Sequence, residues 1–365
     1  MQLCNYFKPF IVEGNGLIAD TMKSLIYHEL PSVFEYIDFD DDYPFMEPLL
    51  FAYFNREGLE FDLTKLMAGY SKTGLIDHVN IPEGCTEYLP NKGYFARSLE
   101  GQLQKVSPIL HLDEHLSVIR YQHDLIRNNF RDNNDKIAEV EIENTTSFHF
   151  SSCQAALRTI QNQLSDLYEE MIKTNRNIIL FSNPEVYCFS TLQTHGAAYL
   201  STIPENGRGF FLEELIHQCA HNTFNAVLFD KQKFFKIDVE KANMGDFLGN
   251  SLEKRTIFSA FHGLFTVAKR YEAFYILYKE GVFVAEERHE FLGRFADLEK
   301  RFKTGLERLP LGEVFTPEGI NFFEQLYSVC EYVITHTQEL KGVFQLHNQP
   351  PEFSYQHFLQ LNPLP

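Results

Sequence analysis

The stretch FFLEELIHQCAHNTFNAVLF, residues 210–229, is the part of the chain that best indicates its fold. Apolar side chains occupy most positions around its helical circumference, which predicts a buried helix. His217 and His221 are four residues apart in this stretch. On a helix they therefore lie on one face, about 6 Å apart along the axis. The segment predicts a buried helix that carries two neighbouring imidazoles.

Three further long helices follow in the sequence, over residues 256–278, 285–308 and 317–340. The second of these three ends just before Pro310, because proline cannot continue a helix. Thr316 is a suitable N-cap for the last helix, and Pro317 suits its first position. Upstream, short apolar runs predict strands over residues 177–182, 186–190 and 195–201. The fold class we expect is α+β and predominantly helical, with a small β-sheet packed against a bundle of long helices.

The chain has 365 residues, which favours two domains. We predict an irregular N-terminal region over residues 1–145, of unknown role but suited to substrate recognition. Residues 146–365 form the predicted helical, metal-binding catalytic domain. The boundary follows a polar segment, residues 131–135, that ends a helix predicted from about residue 107.

Composition excludes several functional classes. Lys and Arg total 32 against 50 Asp and Glu, a net charge of −18, whereas nucleic-acid binding needs a concentrated basic surface. No run approaches the roughly 18 apolar residues of a membrane helix, and the first residues do not resemble a signal peptide. Six scattered cysteines form no C-x-x-C pair. We expect a reduced, soluble, cytoplasmic protein that binds neither nucleic acid nor membrane.

The pair His217 and His221 is a candidate metal site, since two imidazoles on one helix face can each approach one ion to about 2.1 Å. Structural packing is the alternative, because two histidines at this spacing also arise by chance. Gln218 occupies the position at which zinc peptidases carry a glutamate as general base. An amide cannot accept a proton from water at neutral pH. The residue argues against a peptidase and leaves a redox metal site open.

A third ligand is predicted on the helix over residues 256–278. His262 lies there in an otherwise apolar run, and Thr266, Lys269 and Arg270 follow four, seven and eight positions later. A cation one or two turns from a metal ligand can hold the distal carboxylate of a dicarboxylate cosubstrate. Thr266, Lys269 and Arg270 are therefore candidate cosubstrate residues. The alternative is that both cations extend to solvent.

The order of these features resembles the HExxH-motif domain family associated with ribosomal peptide biosynthesis. The matching pieces cover about residues 150–305: the strand at 178–182, the Gly-Ala-x-Tyr-Leu-Ser strand at 196–201, the Leu-Ile-His-x-x-x-His helix and the later Phe-His-Gly-x-Phe helix. The resemblance implies an Fe(II)- and α-ketoglutarate-dependent dioxygenase, an oxidoreductase that hydroxylates a peptide side chain at the β-carbon. It implies that His217, His221 and His262 hold iron and that Arg270 or Lys269 binds α-ketoglutarate. The peptide as substrate rests on the resemblance alone.

Two other functions remain open from the sequence. One is zinc-dependent hydrolysis, either at the Gln218 site or at His111-Leu-Asp-Glu-His115, which has the H-x-x-E-H order of inverted zinc peptidases. The predicted start of a helix is the preferred explanation for the acidic residues of that second motif, because they suit the positive end of the helix dipole. The other function is a metal-free scaffold that binds a peptide. His195 is interpreted as a core histidine bonded to backbone, and the alternative is that it enters the second metal shell or replaces His262.

Overall fold

The computed structural model describes residues 2–56, 58–72, 74–98, 100–302, 305–347, 349–350 and 352–364. It is 57% helical with 10% strand, which confirms the prediction of an α+β, predominantly helical fold. None of the helices in these ranges combines the length and apolar character that a bilayer-spanning segment requires.

The described residues form α-helices that we number in chain order. They are α1 Gln2–Glu29, α2 Pro48–Asn55, α3 Leu63–Ala68, α4 Glu143–Gln163, α5 Ser165–Thr174, α6 Arg208–Val227, α7 Met244–Leu248, α8 Ile257–Glu280, α9 Ala285–Phe302, α10 Leu311–Val314, α11 Pro317–His336 and α12 Tyr355–Leu361. The four long helices predicted from the sequence correspond to α6, α8, α9 and α11. The helix predicted over residues 285–308 is shorter in the structure. It corresponds to α9, which ends at Phe302, and a separate 3-10 turn occupies Leu306–Arg308.

The strands form two small sheets. Strands β1 Thr86–Leu89, β2 Gly93–Arg97 and β3 Leu103–Ser107 make an antiparallel sheet in that order. Strands β4 Leu110–His111, β5 Ser117–Val118, β6 Asn177–Phe181 and β7 Ala197–Ser201 make the second sheet. In the second sheet, β4 pairs antiparallel to β5, while β5, β6 and β7 are parallel. The predicted strands at 177–182 and 195–201 match β6 and β7, and residues 186–190 contribute a single bridge, Phe189 to Tyr199.

The chain divides into two compact units. The helical unit contains Met1–Phe10, Ala155–Met171 and Gly207–Pro365, and the mixed unit contains Ile11–Gln154 and Ile172–Asn206. This division differs from the predicted single boundary between residues 145 and 146, because α1, α4 and α5 each contribute residues to both units. Both sheets belong to the mixed unit, and the long helices α6, α8, α9 and α11 belong to the helical unit.

The core of the helical unit is built around α8, which packs against α6, α9 and α11. Aromatic rings fill the spaces between these helices. The ring centroids of Phe7 and Phe322 are 4.6 Å apart, those of Phe7 and Phe265 are 5.1 Å apart, and those of Phe261 and Phe322 are 5.0 Å apart. Tilted and edge-to-face ring pairs of this kind stabilise a core beyond the burial of their area. The first turns of α1 are therefore part of the core around α8.

The helix predicted from about residue 107 to residue 130 is wrong. Strands β4 and β5 and a 3-10 helix, Asp124–Asn129, occupy this segment. Asp113 accepts hydrogen bonds from the backbone N–H groups of His115 and Leu116, both at 2.8 Å, and so closes a tight turn. Leu112 and Leu116 are buried at the two ends of that turn. Their spacing is that of a helix face, but here it reflects two strand ends that face the same core.

Candidate metal centre

Helices α6 and α8 bring the three predicted histidines together. His217 Nε2 lies 3.2 Å from His221 Nε2, and His221 Nδ1 lies 2.5 Å from His262 Nε2. All three residues are partly exposed, and the side chain of His217 is 23% exposed. The cluster thus combines close contact among the imidazoles with access from outside.

Local sequence explains why the rings meet. The apolar residues of α6 bury that helix on most of its circumference, which fixes the direction of His217 and His221. Helix α8 begins at a Thr256 N-cap, whose side chain accepts a hydrogen bond from Ser259 N. His262 then stacks on Phe224 of α6, with ring centroids 4.6 Å apart and planes 13° apart. The stacking holds the His262 ring beside His221.

The imidazole of His217 has acidic and amide neighbours from its own helix. Glu214 Oε2 lies 3.4 Å from His217 Nδ1 and accepts a hydrogen bond from Gln218 Nε2 at 3.0 Å. Gln218 Nε2 is also 3.3 Å from His217 Nδ1. Binding of a metal through Nε2 requires the proton on Nδ1, and Glu214 Oε2 is placed to accept a hydrogen bond from that N–H group. Glu214 is therefore suited to orient a metal ligand.

His221 directs a different ring nitrogen towards each neighbour, so the three rings form a chain. Within the described ranges, no set of three or more His, Cys, Asp or Glu side chains is arranged to hold a metal ion. The pair His217 and His221 does have suitable spacing, since two adjacent ligands at about 2.1 Å from an ion lie about 3.0–3.4 Å apart. His262 would join them only after a rotation of its ring or of the His221 ring.

The electrostatic environment keeps all three imidazoles neutral at pH 7. Burial lowers the pKa of His217 and of His221 well below 6.5, and the nearby Arg270 guanidinium lowers both further. Burial lowers the pKa of His262 to about 4. Neutral imidazole is the form that donates a lone pair to a metal. The donor set is chemically suited to a divalent transition metal.

The two candidate cations, adjacent in sequence, have different surroundings. Lys269 is buried and donates to Glu170 Oε2 at 2.6 Å, with Cys4 Sγ 3.7 Å from its ammonium. Arg270 is also buried and donates to Glu213 Oε1 at 3.0 Å. The Arg270 guanidinium lowers the pKa of His217 and the pKa of His221. Neither cation extends to solvent.

The hydroxyl of Thr266 donates to the Gly263 carbonyl of its own helix at 3.2 Å, and the residue is 2% exposed. Arg270 Nε donates to the Thr266 carbonyl at 3.3 Å. In this structure Thr266 is therefore part of α8 and its packing, and its hydroxyl is engaged within the helix.

A buried ionic network that the sequence did not suggest supports Arg270. Arg294 of α9 donates to Glu213 Oε2 at 2.9 Å and to Glu290 Oε1 at 2.7 and 2.9 Å. Glu213 thus bridges Arg270 and Arg294 with one oxygen each. Burial alone would lower the pKa of Arg294, but the carboxylates of Glu290 and Glu213 raise it overall. The spacing of four residues between Glu290 and Arg294 on α9 is the one sequence feature that indicates part of this network.

The other histidines considered from the sequence lie elsewhere. His195 belongs to the mixed unit, is 1% exposed and packs edge-on against Phe51 with ring centroids 5.4 Å apart. His111 and His115 are exposed at strand β4 and the turn after it, not on a helix. His111 Nδ1 lies 3.1 Å from Ser117 Oγ. The helical geometry required by an H-x-x-E-H metal site is absent from this described segment.

Comparison with known proteins places the chain in no family: no family model matches it, and no curated protein has a matching sequence.

Proposed function

We propose that the protein is an Fe(II)- and α-ketoglutarate-dependent oxygenase that hydroxylates a side chain of a ribosomally made peptide. The observation that carries this proposal is the contact between three neutral imidazoles, with the Nε2 atoms of His217 and His221 3.2 Å apart and His262 against His221. Imidazole ligands with open coordination positions suit non-haem iron. Bound there, Fe(II) would supply the activation of dioxygen for hydroxylation with loss of CO2 from α-ketoglutarate.

His217 and His221 would hold the ion through Nε2, and His262 would complete the set after its ring turns. Glu214 would keep the proton of His217 on Nδ1. A methyl group placed on Gly263 would meet no atom within 4 Å, so the surface beside His262 has room for a cosubstrate or substrate group.

Arg270 is the better of the two candidate anchors for α-ketoglutarate. Its guanidinium acts electrostatically on His217 and His221, whereas Lys269 forms a buried ion pair with Glu170. Guanidinium binds carboxylate through two parallel hydrogen bonds. Because Glu213 already accepts from Arg270, cosubstrate binding would use the other N–H groups of the guanidinium or displace that carboxylate.

Zinc-dependent hydrolysis has less support at the same histidines. The side chain beside the pair is the amide of Gln218, which has no acid–base function at neutral pH, and its Nε2 donates to Glu214. The peptide as substrate and the β-carbon as target come from the family resemblance. A cytoplasmic location is part of the proposal, and it agrees with six cysteines that are all free thiols.

The test begins with protein purified without oxygen and freed of metal. Fe(II) is titrated in, α-ketoglutarate binding is measured by calorimetry, and succinate is measured after oxygen and candidate peptides are added. We expect one iron per chain, iron-dependent binding of α-ketoglutarate, and a mass gain of one oxygen on the peptide. No iron binding under these conditions would disprove the proposal.

A matched pair of variants separates this site from other histidines. His217→Ala with His221→Ala should abolish iron binding. His111→Ala with His115→Ala removes two exposed histidines at the same spacing and should leave it unchanged. If only the His111→Ala, His115→Ala variant lost the metal, the ion would bind at His111 and His115, and the proposed site would be wrong.

A further inference from the structure

The mixed unit contains a pocket of about 560 Å³ that is unrelated to the histidine cluster. Its residues come from β1 and the residue before it, from β2 and β3, from residues 121–124 at the start of the 3-10 helix Asp124–Asn129, and from Phe61. A volume of several hundred Å³ is typical of sites for small organic ligands. The pocket is therefore large enough for a ring compound or a large side chain.

Aromatic rings form a continuous surface along this pocket. Tyr88 and Tyr94 have ring centroids 5.0 Å apart, and Tyr94 and Tyr121 are 4.9 Å apart. Phe61 lies 5.4 Å from the imidazole of His123. Tyr88, Tyr94 and His123 are buried, whereas Phe61 and Tyr121 are partly exposed. The ring surface accessible to a planar ligand is therefore mainly that of Phe61 and Tyr121, with Tyr94 packed against Tyr121.

His123 contributes an unsatisfied polar atom to this pocket. The residue is 7% exposed, and its Nδ1 accepts a hydrogen bond from Leu125 N at 3.2 Å. Burial lowers its pKa to about 4, so the ring is neutral at pH 7 and carries its one proton on Nε2. Nε2 is buried and has no hydrogen-bond partner among the described residues. A buried donor without an acceptor is costly, and a ligand atom could satisfy it.

The charges near the pocket argue against an anionic ligand. Its charged lining residues are the carboxylates Glu87 and Asp124. Two cations contact its aromatic rings, and each is already paired: Lys65 with Glu87 at 2.5 Å, and Arg120 with Glu143 at 3.4 Å.

We infer that this pocket binds an uncharged aromatic ring that carries a hydrogen-bond acceptor, with the ring against Phe61 and Tyr121 and the acceptor on His123 Nε2. The ring can belong to a free small molecule or to an aromatic residue of a peptide. This inference does not depend on the proposed metal chemistry, because every group that it uses belongs to the mixed unit.

The experiment uses the full chain and four probes, with binding followed by calorimetry and by the NMR signals of the His123 ring nitrogens. Benzamide has the ring and the acceptor, and N-acetylphenylalaninamide presents both as a peptide would. Cyclohexanecarboxamide keeps the acceptor without π faces, and benzoate keeps the ring but adds a negative charge. We expect saturable binding of one or both aromatic amides with a dissociation constant of order 1 mM, as suits ligands this small.

Binding of N-acetylphenylalaninamide alone would identify a peptide side chain as the ligand, and binding of benzamide as well would show that a free ring suffices. A shift of the Nε2 signal must accompany binding. Equal binding of benzoate or cyclohexanecarboxamide would overturn the inference, as would no binding of either aromatic amide.

His123→Phe should weaken benzamide binding about five- to tenfold, the usual effect of losing one hydrogen bond. It also removes the acceptor for Leu125 N. His123→Asn is the second variant, because asparagine is a good N-cap and can restore that bond while removing the imidazole. The NMR shift in the unmodified protein tests the inference even if neither variant folds.

Discussion

The ammonium group of Lys269 lies 2.6 Å from the carboxylate of Glu170, and both side chains are buried. The next residue, Arg270, pairs instead with Glu213 at 3.0 Å and influences the histidine cluster. Lys269 and Arg270, although adjacent on α8, thus pair with different carboxylates and have different roles. Lys269 joins α8 to α5 within the helical unit, and Arg270 is the cation available to the proposed cosubstrate.

Removing one partner of the Lys269–Glu170 pair should destabilise the protein strongly. Lys269→Met removes the cation that neutralises the buried Glu170 carboxylate, and we expect the free energy of unfolding to fall by about 3–5 kcal/mol. Lys269→Met with Glu170→Met should recover most of this loss, because both charges of the pair are then removed together. Urea unfolding of the two variants measures both effects. A double variant no more stable than Lys269→Met would contradict the buried-pair explanation.

Arg270→Gln should weaken α-ketoglutarate binding at least tenfold while iron still binds. Glu213 keeps its contact with Arg294 at 2.9 Å, so this substitution does not leave a buried carboxylate without a cation. Arg288→Gln, at an exposed position on α9, is the control and should have no effect. Calorimetric titration of the iron-loaded protein provides the measurement. Unchanged affinity in Arg270→Gln would remove Arg270 from the proposed site.

Gln218→Glu should destabilise the protein at pH 7 and should not create a peptidase. Gln218 Nε2 donates to Glu214 Oε2 at 3.0 Å, and a carboxylate there would replace a donor with a second acceptor. One of the two carboxyl groups would have to hold a proton, so the stability loss should be smaller at pH 5 than at pH 7.

The exchange Glu214→Gln with Gln218→Glu restores one donor and one acceptor and serves as the control. Its urea midpoint at pH 7 should lie closer to that of the unmodified protein than the midpoint of Gln218→Glu does. Equal midpoints for the exchanged and single variants would mean that the hydrogen bond between these positions contributes little.

Acid should destabilise the mixed unit through His195. Burial lowers its pKa to about 4, below its ordinary 6.5. Between these values the unfolded chain binds more protons than the folded chain, so stability present above pH 6.5 is lost as pH falls towards 4. This one group contributes about 1.4 kcal/mol per pH unit in that window.

His195→Leu should therefore reduce the fall in urea midpoint between pH 6.5 and pH 4.5. Neither ring nitrogen of His195 has a hydrogen-bond partner within the described part of the chain, so an apolar side chain of similar size should not destabilise the protein at pH 7. Iron content should not change. A loss of iron in this variant would instead support the alternative in which His195 belongs to the metal shell.

Local patterns predicted the elements that carry the candidate site. Helices α6 and α8 have dense apolar residues over more than five turns, and the buried runs of β6 and β7 are bounded by polar residues. His217 and His221 meet because both lie on one helix face, which sequence spacing alone determines. Sequence spacing does not determine whether His262 meets His221, because that depends on how α6 and α8 pack. The structure brings those two rings together.

The remaining features depend on contacts distant in sequence. Pro9, Gly14 and Gly16 disfavour a helix, which is why the sequence predicts irregular chain there. Helix α1 nevertheless runs through them, because one face of it, including Phe7, Ile11, Ile18 and Met22, is buried. The separate partners of Lys269 and Arg270 lie 99 and 57 positions away, beyond the reach of any local pattern.

The beginning of α1 has a consequence for how the protein can be made. Gln2 N and Leu3 N donate to Glu272 Oε1, about 270 positions later, and Phe7 packs on Phe322. The ribosome must therefore release most of the chain before these first turns find their partners. A fragment that starts near residue 146 would lack them, so we expect it to expose apolar surface on α8 and to aggregate rather than yield an isolated catalytic domain.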